Sequence, residues 1–220
     1  MSQMILFLLL ESTLETLYMV TAASLLAIGV GLPLGTILYI TRKGNILEHV
    51  FLNHILSTIV NMTRSIPFII LMIAVIPLTR FLVGSSIGTN AAIVPLSLAA
   101  MPFLARVVEN ALLEVNKGLI EAATAMGATV WQIITKILLP EALPGIINGL
   151  TLTIISLIGY SAMAGAVGGG GLGDLAIRYG YQRFNAGIML LTIAIMIVFV
   201  QMIQYIGDKI AKKMTHSRGV

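Results

Sequence analysis

The chain contains no cysteine, which excludes disulfides, thiolate metal sites and cysteine nucleophiles. Charge is nearly as scarce. Only 10% of the 220 residues are Asp, Glu, Lys or Arg, against about 25% in an ordinary soluble domain, so a soluble globular fold is excluded. There is no G-x-x-x-x-G-K-[ST] loop to cradle a nucleotide, and energy for any work must enter through a partner. What fills the chain instead is apolar: 58% of residues are hydrophobic and the mean hydropathy is +1.00. An integral membrane protein is the class that remains. Its net charge of +4 is too small an excess for a nucleic-acid footprint unless clustered on one face.

A bilayer core takes roughly 20 apolar residues in a helix, because each rises ~1.5 Å and every backbone polar group must be satisfied within the segment. Four stretches without a charged side chain meet this: Leu17 to Ile40, Ile87 to Ala105, Leu143 to Val167 and Ala186 to Ile206. A fifth, Ser65 to Thr79, is short, but Arg64 and Arg80 flank it and can snorkel outward, giving an expected span over about 60–83. Upstream, 50–63 either extends that helix or lies along the interface, and Pro67 favours a kink. The expected fold is therefore all-α, a single domain over 1–220 with five spans and termini on opposite sides.

Orientation follows from the basic residues beside the spans. One side carries Arg42, Lys43, Arg64, Arg106, Lys117, Lys136, Lys209, Lys212, Lys213 and Arg218; the other carries only Arg80, Arg178 and Arg183. The richer side is expected to be cytoplasmic, placing the N-terminus outside and the C-terminus inside. The N-terminal tail, with Glu11 and Glu15 and no base, agrees. It also lacks the basic start of a signal peptide, so the first residues are expected to stay in the mature protein.

The clean spans hold no Asp, Glu, Lys or Arg, the costly groups that ion-coupled carriers keep at depth. Gly168 to Gly173 formally satisfies G-x-G-x-x-G, but it follows a membrane helix rather than a strand, which argues against dinucleotide binding. Two readings of this run stand: a flexible outer turn, or a permissive backbone beside a solute pathway or partner. Gly31 and Gly35 form a small-xxx-small pair expected to pack closely against another helix. His49, His54 and His216 have no ligand spacing, so no metal is expected, and the C-terminal lysines with Arg218 would meet anionic headgroups as any such flank does.

Between the third and fourth spans, Arg106 to Pro140 is longer than a simple connection needs. It contains Glu121, Ala122 and Ala123, then Gly127, then Ile137, Leu138, Leu139 and Pro140. Leu119 to Met126 consists of good helix formers, and Gly127 is placed to end that helix in a left-handed conformation. Ala122, Ala123 and Gly127 would offer a small-residue surface that seats in a cleft of another protein, with Glu121 fixing the register. The spacing matches the E-A-A, three residues, G, nine residues, I-x-L-P pattern of bacterial ABC importer permeases. Together with Arg64-Ser-Ile-Pro-Phe-Ile-Ile, Val107-Val-Glu-Asn-Ala-Leu-Leu-Glu, Leu139-Pro-Glu-Ala-Leu-Pro-Gly and Gly159-Tyr-Ser-Ala-Met, the chain resembles methionine importer permeases of the type I ABC family over nearly its whole length.

The resemblance implies a homodimer of permeases in the bacterial inner membrane, joined to two cytoplasmic ATPases that carry ATP and Mg. An extracytoplasmic lipoprotein would supply D- or L-methionine. It assigns ATPase coupling to Glu121, Ala122, Ala123, Gly127, Ile137, Leu139 and Pro140, and leaves this chain without catalytic residues or a cofactor. The same machine for another small amino acid or zwitterion is the alternative. For the pathway, the fourth span supplies Asn148, Thr151, Thr153, Ser156, Tyr160, Ser161 and Met163, loosened by Gly159 and Gly165. The hydroxyls and Asn148 equally suit bonding between packed helices. Tyr160 and Met163 are three apart and share a face; the resemblance places that face on the pathway, with Met163 closing a gate and Tyr160 and Ser161 beside it.

Overall fold

The structure, a computed structural model, describes residues 3–216; Arg218 and the side chain of His216 lie outside the described residues. Four helical stretches are long and apolar enough to cross a membrane: Gln3–Ile40, Thr89–Leu113, Val130–Ala166 and Ala186–Met214. A bent pair, Val50–Ser65 with Phe68–Ala74, makes up to five. No strand occurs among the described residues.

The first helix, α1 (Gln3–Ile40), starts well before the expected Leu17, and packs along α5 (Thr89–Leu113). Gly31 and Gly35 set that approach. A Cβ on Gly35 would sit 2.4 Å from the Ala105 carbonyl oxygen, and one on Gly31 2.9 Å from that of Met101, so only glycine lets the two backbones come this close.

The expected span over 60–83 is not one helix. α2 (Val50–Ser65) stops where Ile66 turns extended, with φ −81° and ψ 124°, because the proline ring of Pro67 crowds the helical conformation of the residue before it. α3 (Phe68–Ala74) then leaves at 103°, and α4 (Ile76–Val83) follows across Val75 to end on left-handed Gly84. α2 is two-faced. Phe51, Ile55, Ile59 and Met62 are exposed along one side, whereas Asn53 donates to the Leu38 carbonyl at 2.6 Å and to Thr41 Oγ1 at 3.1 Å on the other.

The stretch 106–140, expected as a long loop, is mostly helix. α5 runs on to Leu113, α6 spans Lys117–Ala125, and α7 (Val130–Ile133) passes through a π-helical stretch (Ile134–Leu138) into α8 (Leu139–Ala166). The charges taken as its boundary are accommodated at Arg106 and Glu109. Glu109 is 3% exposed and accepts from Arg106 Nη1 at 2.5 Å, with Arg42 4.0 Å away. Arg106 Nη2 reaches across to Ser57 Oγ and Asn61 Oδ1, each at 2.8 Å, and so clasps α2 to α5. Burial of a carboxylate is tolerable only with such pairing.

α9 (Gly171–Leu175) is a single buried turn, followed by a π-helical stretch (Ala176–Tyr181) and α10 (Ala186–His216). The glycine run leading into α9 is packed tightly, which removes the flexible-turn reading. Gly168, Gly170 and Gly171 have positive φ. A Cβ on Gly165 would lie 2.3 Å from the Asp174 nitrogen, and one on Gly173 2.4 Å from the Ala162 carbonyl oxygen. Glu15 accepts from the Gly171 N–H at 2.6 Å and Thr16 Oγ1 from that of Leu172 at 2.8 Å, pinning the turn to α1. Asp174 accepts from Arg178, and that bond raises the guanidinium pKa further above its usual range.

Candidate functional site

Two places concentrate the residues that the sequence singles out: α6 at one end of the bundle, and the exposed side of α8.

α6 is built by local rules at both ends. Asn116 caps its start by accepting from the Gly118 N–H at 2.8 Å. At its end Gly127, with φ +79°, donates to the Thr124 carbonyl, while Ala128 donates to the Ala123 carbonyl, both at 3.0 Å. This is the paired bonding of a Schellman motif, which needs a left-handed residue where Gly127 sits. Glu121, Ala122, Met126 and Gly127 are exposed on the outer surface. Ala123 is not with them. It is 1% exposed and packs into the main core, so the small-residue surface consists of Ala122 and Gly127, flanked by the exposed Leu119 and Met126. Ile137, Leu139 and Pro140 are half-buried, and the first two pack on the core. They are therefore not part of the exposed surface of α6. Trp131, on α7, is 72% exposed close by in sequence.

On α8, Asn148, Leu152, Gly159 and Met163 form an exposed stripe with helical spacing, and Met163 is 49% exposed. Tyr160 flanks the stripe and stacks on Phe68 of α3, centroids 4.7 Å apart and planes within 8°. Ser161 faces the other way: it is buried and donates to the Ile158 carbonyl at 2.8 Å. Thr151, Thr153 and Ser156 likewise donate to carbonyls of their own helix, which satisfies them without a solute. Arg64, expected to reach outward, is exposed, and its guanidinium lies over the Phe103 ring, 5.8 Å from its centroid. With Phe68 and Tyr160 it lines a cavity of about 190 Å³. The sequence offers no direct signal for Phe68, Phe103 or the Arg106–Glu109 clasp beyond the i, i+3 spacing of that pair. Among the described residues no group of three or more His, Asp or Glu could hold a metal.

The family of binding-protein-dependent transport system inner membrane components matches residues 31–216. The chain belongs to this family. As such a component it is a multi-pass transport subunit of the bacterial inner membrane, an ABC importer permease and not an enzyme. It is 55% identical over 209 residues to the probable D-methionine transport system permease protein of Vibrio cholerae, covering 95% of this chain and 93% of the relative. The corresponding protein of Pasteurella multocida is also 55% identical, over 93% and 94% of the two chains. Among solved structures, an inward-facing form of the MetNI methionine ABC transporter matches with a TM-score of 0.96 and 51% identity, over 97% of this chain and 99% of that one. An amino acid ABC transporter, 17% identical with a TM-score of 0.77, shares the fold.

Proposed function

We propose that this chain is the permease subunit of an ATP-driven importer of D- and L-methionine. The near full-length match to a chain of the methionine transporter, at 51% identity, carries this reading. In it, two copies pair across the exposed stripe of α8 to enclose the pathway. Two ATPase subunits, which bind ATP and Mg, dock on the α6 ends, and a methionine-binding lipoprotein delivers solute at the α9 ends. The α6 end is cytoplasmic, in keeping with the excess of Lys and Arg there.

The division of labour follows from the residues. Glu121 carries the negative charge on the exposed side of a short, well-capped helix, so it sets how the ATPase seats. Gly127 and Ala122 allow close approach. Ala123, Ile137, Leu139 and Pro140 transmit movement, because Ala123 seats α6 on the same core against which Ile137 and Leu139 pack. At the other end of that lever, Met163 presents a flexible apolar side chain on the stripe, suited to closing a pore against a second copy, and Tyr160 is held rigid by Phe68.

Uptake of labelled methionine into proteoliposomes containing this chain, its ATPase and the binding lipoprotein tests the proposal. ATP-dependent uptake is expected. Uptake driven by an ion gradient without ATPase would refute it, and ATP-dependent uptake of a different zwitterion in preference to methionine would move the assignment to the neighbouring solute class.

A further inference from the structure

We propose that the cavity beneath Tyr160 is a solute station on the translocation path, in which the Arg64 guanidinium takes the α-carboxylate of the passing amino acid and the rings around it take the thioether side chain. This rests on the methionine-import reading and adds to it a site within the permease itself.

The cavity, about 190 Å³, is lined by Thr63, Arg64, Phe68, Ala99, Phe103 and Tyr160 among others, a size suited to a single amino acid. Arg64 is the only charged residue lining it. Three arginines have anionic partners, Arg106 and Arg42 with Glu109 and Arg178 with Asp174, whereas Arg183 lies over the Tyr179 ring. Arg64 has none among the described residues; its neighbour is the face of Phe103. It is water-accessible, so nothing forces it to pair within the chain, and its planar fork matches a carboxylate bidentately.

The rest of the cavity fits the other two parts of the solute. Thr63 donates its hydroxyl hydrogen to the Ile59 carbonyl at 2.9 Å, which leaves its oxygen lone pairs to accept from an ammonium group. The stacked Phe68 and Tyr160, together with Phe103 in the same lining, provide aromatic surface against which a thioether sulfur is favourable. The position also fits. Arg64 lies in the last turn of α2, immediately before the 103° break, and Tyr160 borders the exposed stripe that carries Met163. A station that is open on one side and holds its charge in water gives weak capture, which a transit site requires.

The test uses the purified permease–ATPase complex without binding lipoprotein. Equilibrium binding is measured for labelled L-methionine, with unlabelled methionine, methioninamide and norleucine as competitors. The first competitor should displace label, the amide, lacking the carboxylate, should fail, and norleucine, lacking sulfur, should be weaker. Arg64→Leu should lower methionine binding and uptake turnover at saturating lipoprotein by about tenfold or more, the range for losing a charge-assisted hydrogen-bonded pair. Arg64→Lys should recover part of both.

A structural role alone would lower the melting temperature without changing the ratio of acid to amide competition. If Arg64→Leu does not assemble, Arg64→Lys and Phe68→Leu carry the same measurement. Binding and turnover unchanged in the assembled variants, or equal competition by the amide, overturns the station while leaving import intact. Absence of any methionine uptake by the wild-type system with its lipoprotein would instead overturn the import reading.

Discussion

Gly127 ends α6 in a conformation that costs other residues about 1–2 kcal/mol, and nothing crowds its missing side chain. Gly127→Val should therefore loosen the C-terminal turn without a clash, lowering ATPase co-purification roughly five- to thirty-fold while membrane insertion persists. Glu121→Lys should weaken the same association through charge alone, and co-purification that survives it would remove Glu121 from the docking surface. Gly35 is a different kind of glycine. Its helical backbone is unstrained, and Gly35→Leu should cost about 1–3 kcal/mol by forcing α1 off α5, read as a lower melting temperature of the purified chain. The spacing from Glu121 to Pro140 made α6 and Gly127 legible in the sequence. The inward direction of Ala123 was not, because which side of a short helix is buried depends on what the rest of the chain places beneath it.

At the scale of elements, the break at Pro67 was visible as a kink but its size was not: a proline dictates an extended residue before it, whereas 103° is set by where α2 and α3 each find packing. The missing long loop has a related cause. Arg106 and Glu109 ended the apolar run in sequence, yet α5 continues through them because the two neutralise each other and Arg106 finds Ser57 and Asn61. Glu109→Ala should leave Arg106 and Arg42 without their carboxylate and destabilise on the order of 3 kcal/mol. Glu109→Gln, which keeps an acceptor, should lose less. Thermal unfolding in detergent compares the two, and equal losses would assign the effect to packing instead of charge. Loosening should be greatest in α2, detectable as faster proteolysis there.

For the whole molecule, the long apolar helices were readable from composition, but the interior of the pathway was not. The hydroxyls of Thr151, Thr153, Ser156 and Ser161, which the sequence offers as solute contacts, all turn back to carbonyls of their own helix, and only the fold distinguishes those from the Met163 stripe. Tyr160→Ala and Met163→Ala should each change uptake without reducing ATPase binding; unchanged uptake in both would remove this face from the path. The proposed orientation is testable on the same assembly. Because the chain has no cysteine, Met126→Cys and Phe184→Cys, both at highly exposed positions, should react with a membrane-impermeant maleimide from opposite sides.

Trp131 is the single tryptophan of the chain, and it stands in solvent just beyond α6. The protein therefore carries its own optical probe at the place where a partner would arrive. Excited selectively, the indole should shift its emission to shorter wavelength as an ATPase covers it, and titrating that shift would give docking affinity and its dependence on nucleotide with no label attached.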